Sequence, residues 1–354
     1  MKILALNSSP RSDRESKTAL MLGHLVAGMR DAGADVEVVN LREKTVNHCI
    51  GCYSCWTKTP GVCIHKDDMT NELFPKWLAS DLVVYGSPLY IHTVNGIMKT
   101  FIERILPVAL PFLERSDGKT RHPWRHRFPA AVVLSVAGFP EEAAFDQLSS
   151  YVNYFFGKEL LAEIYRPAAE TLMHRPAREV RENILSATEE AGRELVKSRK
   201  VSSETLAQIK QPLGDPEAMA RMANIMWKTC IAEGVTPREL KQKGLTPRPD
   251  SIESFMDIMR AGFNPQKAAD TKATLQFVFS GEVEGSCYLA IDNGTLQAAE
   301  GKAEKSDLTI ETPFEGWMDI VTGKADGQKM FMEQKYRAVG DLSCLMKMGQ
   351  LFGK

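Results

Sequence analysis

Five short, mostly apolar runs recur through the first part of the chain, at residues 2–6, 36–41, 82–85, 130–136 and 160–165. Stretches with helical spacing separate them. A strand covered on both faces reads as a nearly continuous apolar run, and parallel neighbours need a crossover between them. The alternation therefore selects an α/β fold with a doubly wound parallel sheet of five strands. In such sheets ligands sit beyond the carboxyl ends of the strands. That rule picks out three loops, 7–16, 86–93 and 135–141, and each carries Gly, Pro or Ser where it leaves its strand. In the first, Asn7, Ser8, Ser9 and Pro10 stop a strand, and from Ser16 the pattern turns helical with Leu20, Leu22, Leu25, Val26 and Met29. A strand, a hydroxyl-rich loop and a helix start together form a recipe for holding a phosphate. Ser9, Ser16 and Thr18 can add hydroxyl donors and Arg11 a charged fork. The plainer alternative is a helix cap in which Ser16 only closes the first turn.

At 354 residues the chain exceeds what one hydrophobic core usually organises, so two domains are expected. A net charge of −1 argues against a nucleic-acid binder held by bulk electrostatics. The apolar run after Lys2 ends at Asn7, too short for a secretory leader, and residues 105–113 contain two prolines and fall short of a membrane span. A cytoplasmic protein without a transmembrane segment is expected.

Helices are expected at 67–79, 95–106, 141–156 and from Pro176 to 198, with a proline-rich, basic excursion at 107–129. A helix at 215–233 closes a first domain, residues 1–233, and prolines at 237, 247 and 249 mark a linker, 234–250. Residues 251–354 read as a smaller α+β domain. A helix at 251–261 precedes strands at 275–279, 286–291, 295–299 and 307–312, and helices return at 314–322 and from 342. Asp292-Asn293-Gly294 is a strong hairpin signal between two of these strands.

Four of the seven cysteines form the run Cys49-x2-Cys52-x2-Cys55-x7-Cys63. Four thiolates in one loop suit a 4Fe–4S cluster, whereas structural zinc sites usually split into two separated pairs. Without a cluster the loop is a redox dithiol or a shaped lid. Cys230, Cys287 and Cys344, scattered singly, read as small core residues. The basic aromatic run Arg121–Arg127 could recruit a nucleotide such as NADPH, or be a solvated loop or subunit contact. No Gly-x-Gly-x-x-Gly follows the first strand and no Gly-Lys-Ser/Thr triplet occurs, which disfavours a dinucleotide fold and a P-loop.

The first 200 residues or so resemble the flavodoxin-like superfamily of NADPH-dependent FMN reductases and iron–sulfur flavoproteins. The resemblance rests on Asn7-Ser8-Ser9-Pro10-Arg11 with Ser16-Lys17-Thr18, on Gly86-Ser87-Pro88-Leu89-Tyr90, and on Lys99-Thr100-Phe101-Ile102-Glu103-Arg104. It implies FMN phosphate contacts from Ser9, Arg11, Ser16, Lys17 and Thr18. Ring contacts are implied from Pro88, Leu89, Tyr90, Ser135 and Gly138, with NAD(P)H as electron donor. The cysteine run is similar to the cluster motif of the iron–sulfur flavoproteins, which implies Cys49, Cys52, Cys55 and Cys63 as ligands. Residues 251–354 resemble the sterol carrier protein 2-like domains through 275–279, Ile291-Asp292-Asn293-Gly294, 307–310 and Gly340-Asp341-Leu342. That implies a five-stranded sheet with helices over an apolar tunnel for a lipid-like ligand. The expected protein is an FMN-dependent NAD(P)H oxidoreductase of the flavin or quinone reductase type, acting on a small molecule or an electron-transfer protein and forming a homo-oligomer. Two other readings stand beside it: an electron-transfer iron–sulfur flavoprotein, and a lipid-binding or scaffold protein with a non-catalytic flavodoxin-like half.

Overall fold

The computed structural model describes residues 1–116, 118–174 and 177–353. The chain divides into two compact units, Met1–Leu213 and Gly214–Lys354. The first contains β1 (Lys2–Asn7), α1 (Lys17–Asp31), β2 (Asp35–Asn40), α2 (Phe74–Leu78), β3 (Leu82–Tyr90), β4 (Thr93–Val94) and α3 (Gly96–Glu103). It continues with β5 (Glu114–Ser116), β6 (Lys119–Arg121), β7 (Ala130–Val136), α4 (Asp146–Phe156), β8 (Leu160–Arg166), α5 (Arg178–Ser198) and α6 (Ser203–Lys210). Five strands pair in parallel in the order β2-β1-β3-β7-β8. This is the flavodoxin-like order, in which the chain reverses direction of travel across the sheet between β1 and β3.

Strand residues alternate between two cores. Ile3, Ala5, Val84 and Val132 meet α1 and α5 on one face through Met21, Leu25, Ile184 and Leu195. Leu4, Leu6, Val83 and Val133 meet α2, α3 and α4 on the other through Trp77, Phe101 and Leu148. Helices α1 and α5 approach closely because their crossing carries two glycines. A Cβ on Gly28 would lie 1.8 Å from the carbonyl oxygen of Glu189, and one on Gly192 would lie 2.2 Å from that of Leu25.

Several boundaries differ from the sequence reading. Strand β3 does not stop at Gly86: Ser87 and Pro88 pair with Ser135 and Val136, so the strand carries the second loop out to Tyr90. Proline is tolerated at a strand end, where its missing N–H removes little. The expected helix at 67–79 opens as a π-helical stretch, Met69–Leu73, before α2. The basic excursion holds the β5–β6 hairpin. The expected start of a helix at Pro176 lies outside the described residues; α5 is described from Arg178.

The second unit comprises α7 (Pro216–Glu233), α8 (Pro237–Gln242), α9 (Ile252–Gly262), β9 (Lys272–Ser280), β10 (Gly285–Asp292) and β11 (Thr295–Glu300). After these come β12 (Leu308–Pro313), α10 (Phe314–Val321), α11 (Gly327–Met332), β13 (Arg337–Gly340) and α12 (Leu342–Leu351). Its five strands run β11-β10-β9-β12-β13, all antiparallel except β9 and β12. Asn293 and Gly294 both take the left-handed conformation in the β10–β11 turn, as an Asn-Gly hairpin requires. The core gathers Phe255, Phe277, Phe279, Phe314 and Trp317.

Helix α7 was expected at the end of the first domain, but it packs within the second unit. Arg221 Nε binds Asp257 Oδ2 at 2.9 Å, and Thr229 Oγ1 accepts from the Arg248 amide at 2.8 Å. Nor is 234–250 an open linker: α8 lies inside it, opened by a capping box between Thr236 and Glu239. Among the described residues no helix is long and apolar enough to cross a membrane.

Candidate functional site

The loops beyond the carboxyl ends of β1 and β3 are tied by hydrogen bonds into a rim, and the loop beyond β7 meets them through a ring contact between His92 and Phe139. Asn7 donates to Asn40 Oδ1 at 3.0 Å and its own Oδ1 accepts from the Ser9 amide at 3.1 Å. Ser8 donates its amide (2.9 Å) and its hydroxyl (3.1 Å) to the carbonyl of Gly86, which joins the first loop to the second. Glycine is needed there, since a Cβ would sit 2.8 Å from the Leu6 carbonyl oxygen. Asn95 adds a second tie. It caps α3 by accepting from the Met98 amide, donates to the Ser8 carbonyl at 2.7 Å, and its own amide donates to Ser87 Oγ.

Ser16 caps α1 by accepting from the Ala19 amide at 3.0 Å. The helix therefore opens on the first loop with its positive dipole end. Ser9, Ser16 and Thr18 are all buried here, and Lys17 Nζ reaches the Glu15 carbonyl. Arg11 lies on the same loop, but its guanidinium pairs with Glu170 at 2.6 Å, both side chains about half exposed. A cleft of about 370 Å³ opens beside this loop on the β2 side, with Asn7, Arg14, Ser16, Lys17 and Asn40 in its walls.

Across the rim, Pro88 is buried, Leu89 partly so, and Tyr90 exposed. Ser135 is fully buried at the end of β7, and its Oγ has no hydrogen-bond partner. A buried hydroxyl left unsatisfied costs about 1–3 kcal/mol, so it calls for an explanation. Gly138 is exposed, with the Glu170 side chain 4.0 Å from where its Cβ would be.

Sequence reasoning missed three rim features. Asn95 ties two loops, and only its place before a helical pattern hints at it. Ile91 and His92 form the two-residue β3–β4 turn, both at positive φ, and Ile91 is 92% exposed. No Gly or Asn marks that turn, and a β-branched residue at φ 47° is strained backbone of the kind found at functional sites. His92 stacks on Phe139 of the third loop, ring centroids 6.0 Å apart and planes 5° off parallel. Arg166, at the end of β8, is buried without a carboxylate. Its Nε and Nη1 donate to the carbonyls of Pro167, Ile209 and Gln211, which fastens the end of α6.

The four cysteines of the 49–63 run share one pocket with His65 and Arg104. Cys52 is exposed, Cys49 and Cys63 are half-buried, and Cys55 is buried. Burial, and then the three neighbouring thiols, push the Cys55 thiol up, whereas hydrogen bonding with Ser54 draws Cys52 down. Gly51, Tyr53 and Gly61 take positive φ as the loop doubles back. Among the described residues no three His, Cys, Asp or Glu side chains converge as ligands of one metal ion. The expected ligand set is thus gathered but not closed. The space between the thiols, about 20 Å³, holds about one water.

Helix α3 joins the two places. Asn95 at its start belongs to the rim, and Arg104 at its end belongs to the cysteine pocket. Eight residues make this strut about 12 Å long.

Residues 1–163 match the NADPH-dependent FMN reductase family, and residues 256–353 match the SCP-2 sterol transfer family. An iron–sulfur flavoprotein of Archaeoglobus fulgidus is 34% identical over 41% of this chain and 59% of its own length. An FMN-dependent NADH:quinone oxidoreductase of Azospirillum brasilense is 33% identical over 33% of this chain and 60% of its own. The chain thus spans about three-fifths of each of these two relatives. An FMN-dependent NADH-azoreductase of Bacillus anthracis, solved with FMN, superposes with a TM-score of 0.43 at 16% identity, over 55% of this chain and 99% of its own. The chain therefore carries an N-terminal domain of the NADPH-dependent FMN reductase family and a C-terminal domain of the SCP-2 sterol transfer family.

Proposed function

We propose that the protein is an FMN-dependent oxidoreductase that draws electrons from NAD(P)H, with an appended domain for an apolar ligand. The observation that carries this is the rim at the β1–β3 switch point. Two loops are tied together there by Ser8, Ser87 and Asn95, the third meets them through the His92–Phe139 stack, and the buried Ser135 Oγ lacks a partner beside them. The residues fit the cofactor. A dianionic phosphate suits the dipole end of α1 with the Ser9, Ser16 and Thr18 hydroxyls and Lys17. Arg11 joins them by exchanging Glu170 for the phosphate, a small loss because that pair is exposed. Pro88, Leu89, Tyr90, Ser135 and Gly138 would flank the flavin ring, and Ser135 would gain its missing hydrogen bond. The cleft beside β2 lies across β1 from the ring loops, so it takes no part in ring binding.

Bound FMN would supply the electron chemistry; the chain binds and orients it and shields it from water. An exposed Tyr90, Ile91 and Phe139 leave the outer side of the rim open to a nicotinamide or an acceptor. A second component is favoured by the cysteine pocket, where Cys49, Cys52, Cys55 and Cys63 would hold a 4Fe–4S cluster once the loop spreads to admit it. The relatives named as iron–sulfur flavoproteins agree with this reading. In the second unit the aromatic core around Phe277 and Trp317 contains a buried indole N–H without a partner, which suits an apolar ligand bearing one acceptor.

Anaerobic purification is expected to yield a yellow-brown protein whose flavin absorbance bleaches on adding NADH or NADPH and returns with a quinone. Protein that stays colourless when incubated with FMN overturns the flavin assignment. Flavin-loaded protein free of iron and acid-labile sulfide overturns the cluster alone. Thr18→Val preserves shape and removes one hydroxyl from the proposed phosphate site. Hydrogen bonds to charged groups contribute about 1.5–3 kcal/mol, so FMN affinity should fall by roughly 10- to 100-fold. Fluorescence titration of the apoprotein measures it, and an unchanged Kd removes Thr18 from the site.

A further inference from the structure

We propose that Arg104 sets the electron affinity of the cysteine pocket, by holding a fixed positive charge and an unsatisfied N–H against the sulfur atoms gathered there. The inference rests on reading that pocket as an iron–sulfur site.

Arg104 is 2% exposed and helps form the pocket wall beside Cys55 and Cys63. Its two terminal nitrogens are engaged by residues outside the cysteine run. Nη1 donates to Asp67 Oδ2 at 2.7 Å and to the Asn47 carbonyl at 2.6 Å, and Nη2 donates to Asp67 Oδ1 and Thr70 Oγ1, each at 3.0 Å. Nε is buried and has no partner. The guanidinium is therefore clamped, with one donor left over.

Asp67 offsets this charge only in part at the pocket, because Arg104 lines the wall and Asp67 does not. Its carboxylate also accepts from the Asn47 amide at 2.9 Å, the Asn47 side chain at 3.2 Å and the Thr70 amide at 3.1 Å. The negative charge is thus shared among several donors besides Arg104.

The unsatisfied nitrogen has company. Seven buried side-chain nitrogens and oxygens lack a partner among the described residues, and four of them surround this loop: Trp56 Nε1, His65 Nε2, Arg104 Nε and Arg125 Nε. Arg125 packs over Gly61, where a Cβ would meet its Cδ at 3.1 Å. A purely structural staple has no use for an orphaned donor, which costs about 1–3 kcal/mol in the interior. Cluster sulfides and thiolates are acceptors, and hydrogen bonds to them are among the levers that set cluster potential.

The sign follows from electrostatics. Reduction adds one electron and no proton, so the site becomes more negative by one charge. A fixed cation nearby in a low-dielectric pocket stabilises that form and raises the potential. Because Arg104 is anchored on the end of α3 and by Asp67, its charge stays in place when the cysteine loop spreads.

The test uses the full-length holoprotein, purified anaerobically, with iron, sulfide and FMN quantified and the cluster titrated with dithionite under EPR. The double variant Asp67→Asn/Arg104→Gln removes both charges and keeps a hydrogen-bonded pair. Its iron content should match that of the wild type, while its ratio of reduced to oxidised cluster at the wild-type midpoint falls about tenfold, a 59 mV downward shift for one electron. Asp67→Asn alone leaves Arg104 unopposed and should shift the midpoint upward. Opposite shifts at constant iron content are a signature that a structural staple would not produce. An iron-loaded double variant with the wild-type midpoint overturns the role of Arg104 and leaves the cluster standing. Should the double variant not accumulate as folded protein, an unchanged midpoint in Asp67→Asn overturns it instead. Flavin-loaded wild-type protein without iron overturns the cluster reading, and this inference with it.

Discussion

Replacing Gly28 by alanine is expected to destabilise the first unit by about 3 kcal/mol, the upper end of what overpacking usually costs. The added Cβ would fall 1.8 Å from a backbone oxygen, that of Glu189, so no side-chain rotation relieves it. Helices α1 and α5 must move apart, which pulls Met21 and Leu25 away from Ile184 and Leu195. It also strains the 2.7 Å contact between His24 and Glu189. For a unit of this size each kcal/mol shifts Tm by about 2–4 °C, so a drop of roughly 6–12 °C is expected by calorimetry. Gly23→Ala is the control. Nothing lies within 4 Å of its Cβ position, and alanine is the better helix former by about 1 kcal/mol. A Gly28→Ala protein as stable as this control would mean that the helix crossing is not a tight constraint. The consequence reaches the rim, because α1 carries Ser16 and Thr18 at its other end. FMN retention should weaken in Gly28→Ala although no flavin contact has changed.

That coupling of a remote glycine to the rim was not legible in the sequence, and the reason is general. Periodicity reports which face of an element is buried, but not what it is buried against. The five apolar runs showed the sheet, and the hydroxyl-rich loop before Ser16 showed where β1 ends and the capped helix α1 begins, because both are local patterns. The Asn293-Gly294 turn was legible for the same reason: its left-handed backbone needs those residue types. Strand β3 was read too short because Gly86 and Pro88 look like a stop. Pairing with Ser135 and Val136 overrides that local preference. The allotment of α7 failed likewise, since its Asp215 cap and apolar side are visible while the Arg221–Asp257 pair that holds it to the second unit is not. In the cysteine loop the four thiols announced themselves by spacing. The guanidinium that shares their pocket lies some forty positions further on, in a helical segment singled out for its family resemblance and not for any tie to the cysteines.

Arg104→Ala is the second substitution with a large expected effect, about 3–5 kcal/mol of stability lost at neutral pH. Breaking one side of a buried ion pair leaves the other charge uncompensated. Both side chains are essentially without solvent contact, 1% and 0% exposed. The pH dependence distinguishes this from simple loss of packing. Burial by itself would raise the Asp67 carboxyl, but the hydrogen bonds from Arg104, Asn47 and Thr70 outweigh it and hold the carboxyl well below the usual carboxylate range. A folded-state pKa below the unfolded one gives stability that is present above the unfolded value and drains away as pH falls through the folded value. In the wild type this stabilisation therefore lasts into strongly acidic solution. In Arg104→Ala the bonds from Asn47 and Thr70 remain but those from Arg104 are lost, so the carboxyl moves up from its wild-type position and is protonated at a higher pH. The penalty is greatest at neutral pH and is relieved as acid protonates Asp67. Urea midpoints measured from neutral to acidic pH should show the gap between variant and wild type narrowing. A gap that stays constant with pH would mean that the side chain contributes through shape and not through charge. The same logic predicts that Asp67→Asn/Arg104→Gln loses far less than Arg104→Ala, because no buried charge is stranded. That difference is what makes the double variant usable as a probe of the pocket: it separates the charge facing the thiols from the clamp that holds Asn47, two positions before Cys49.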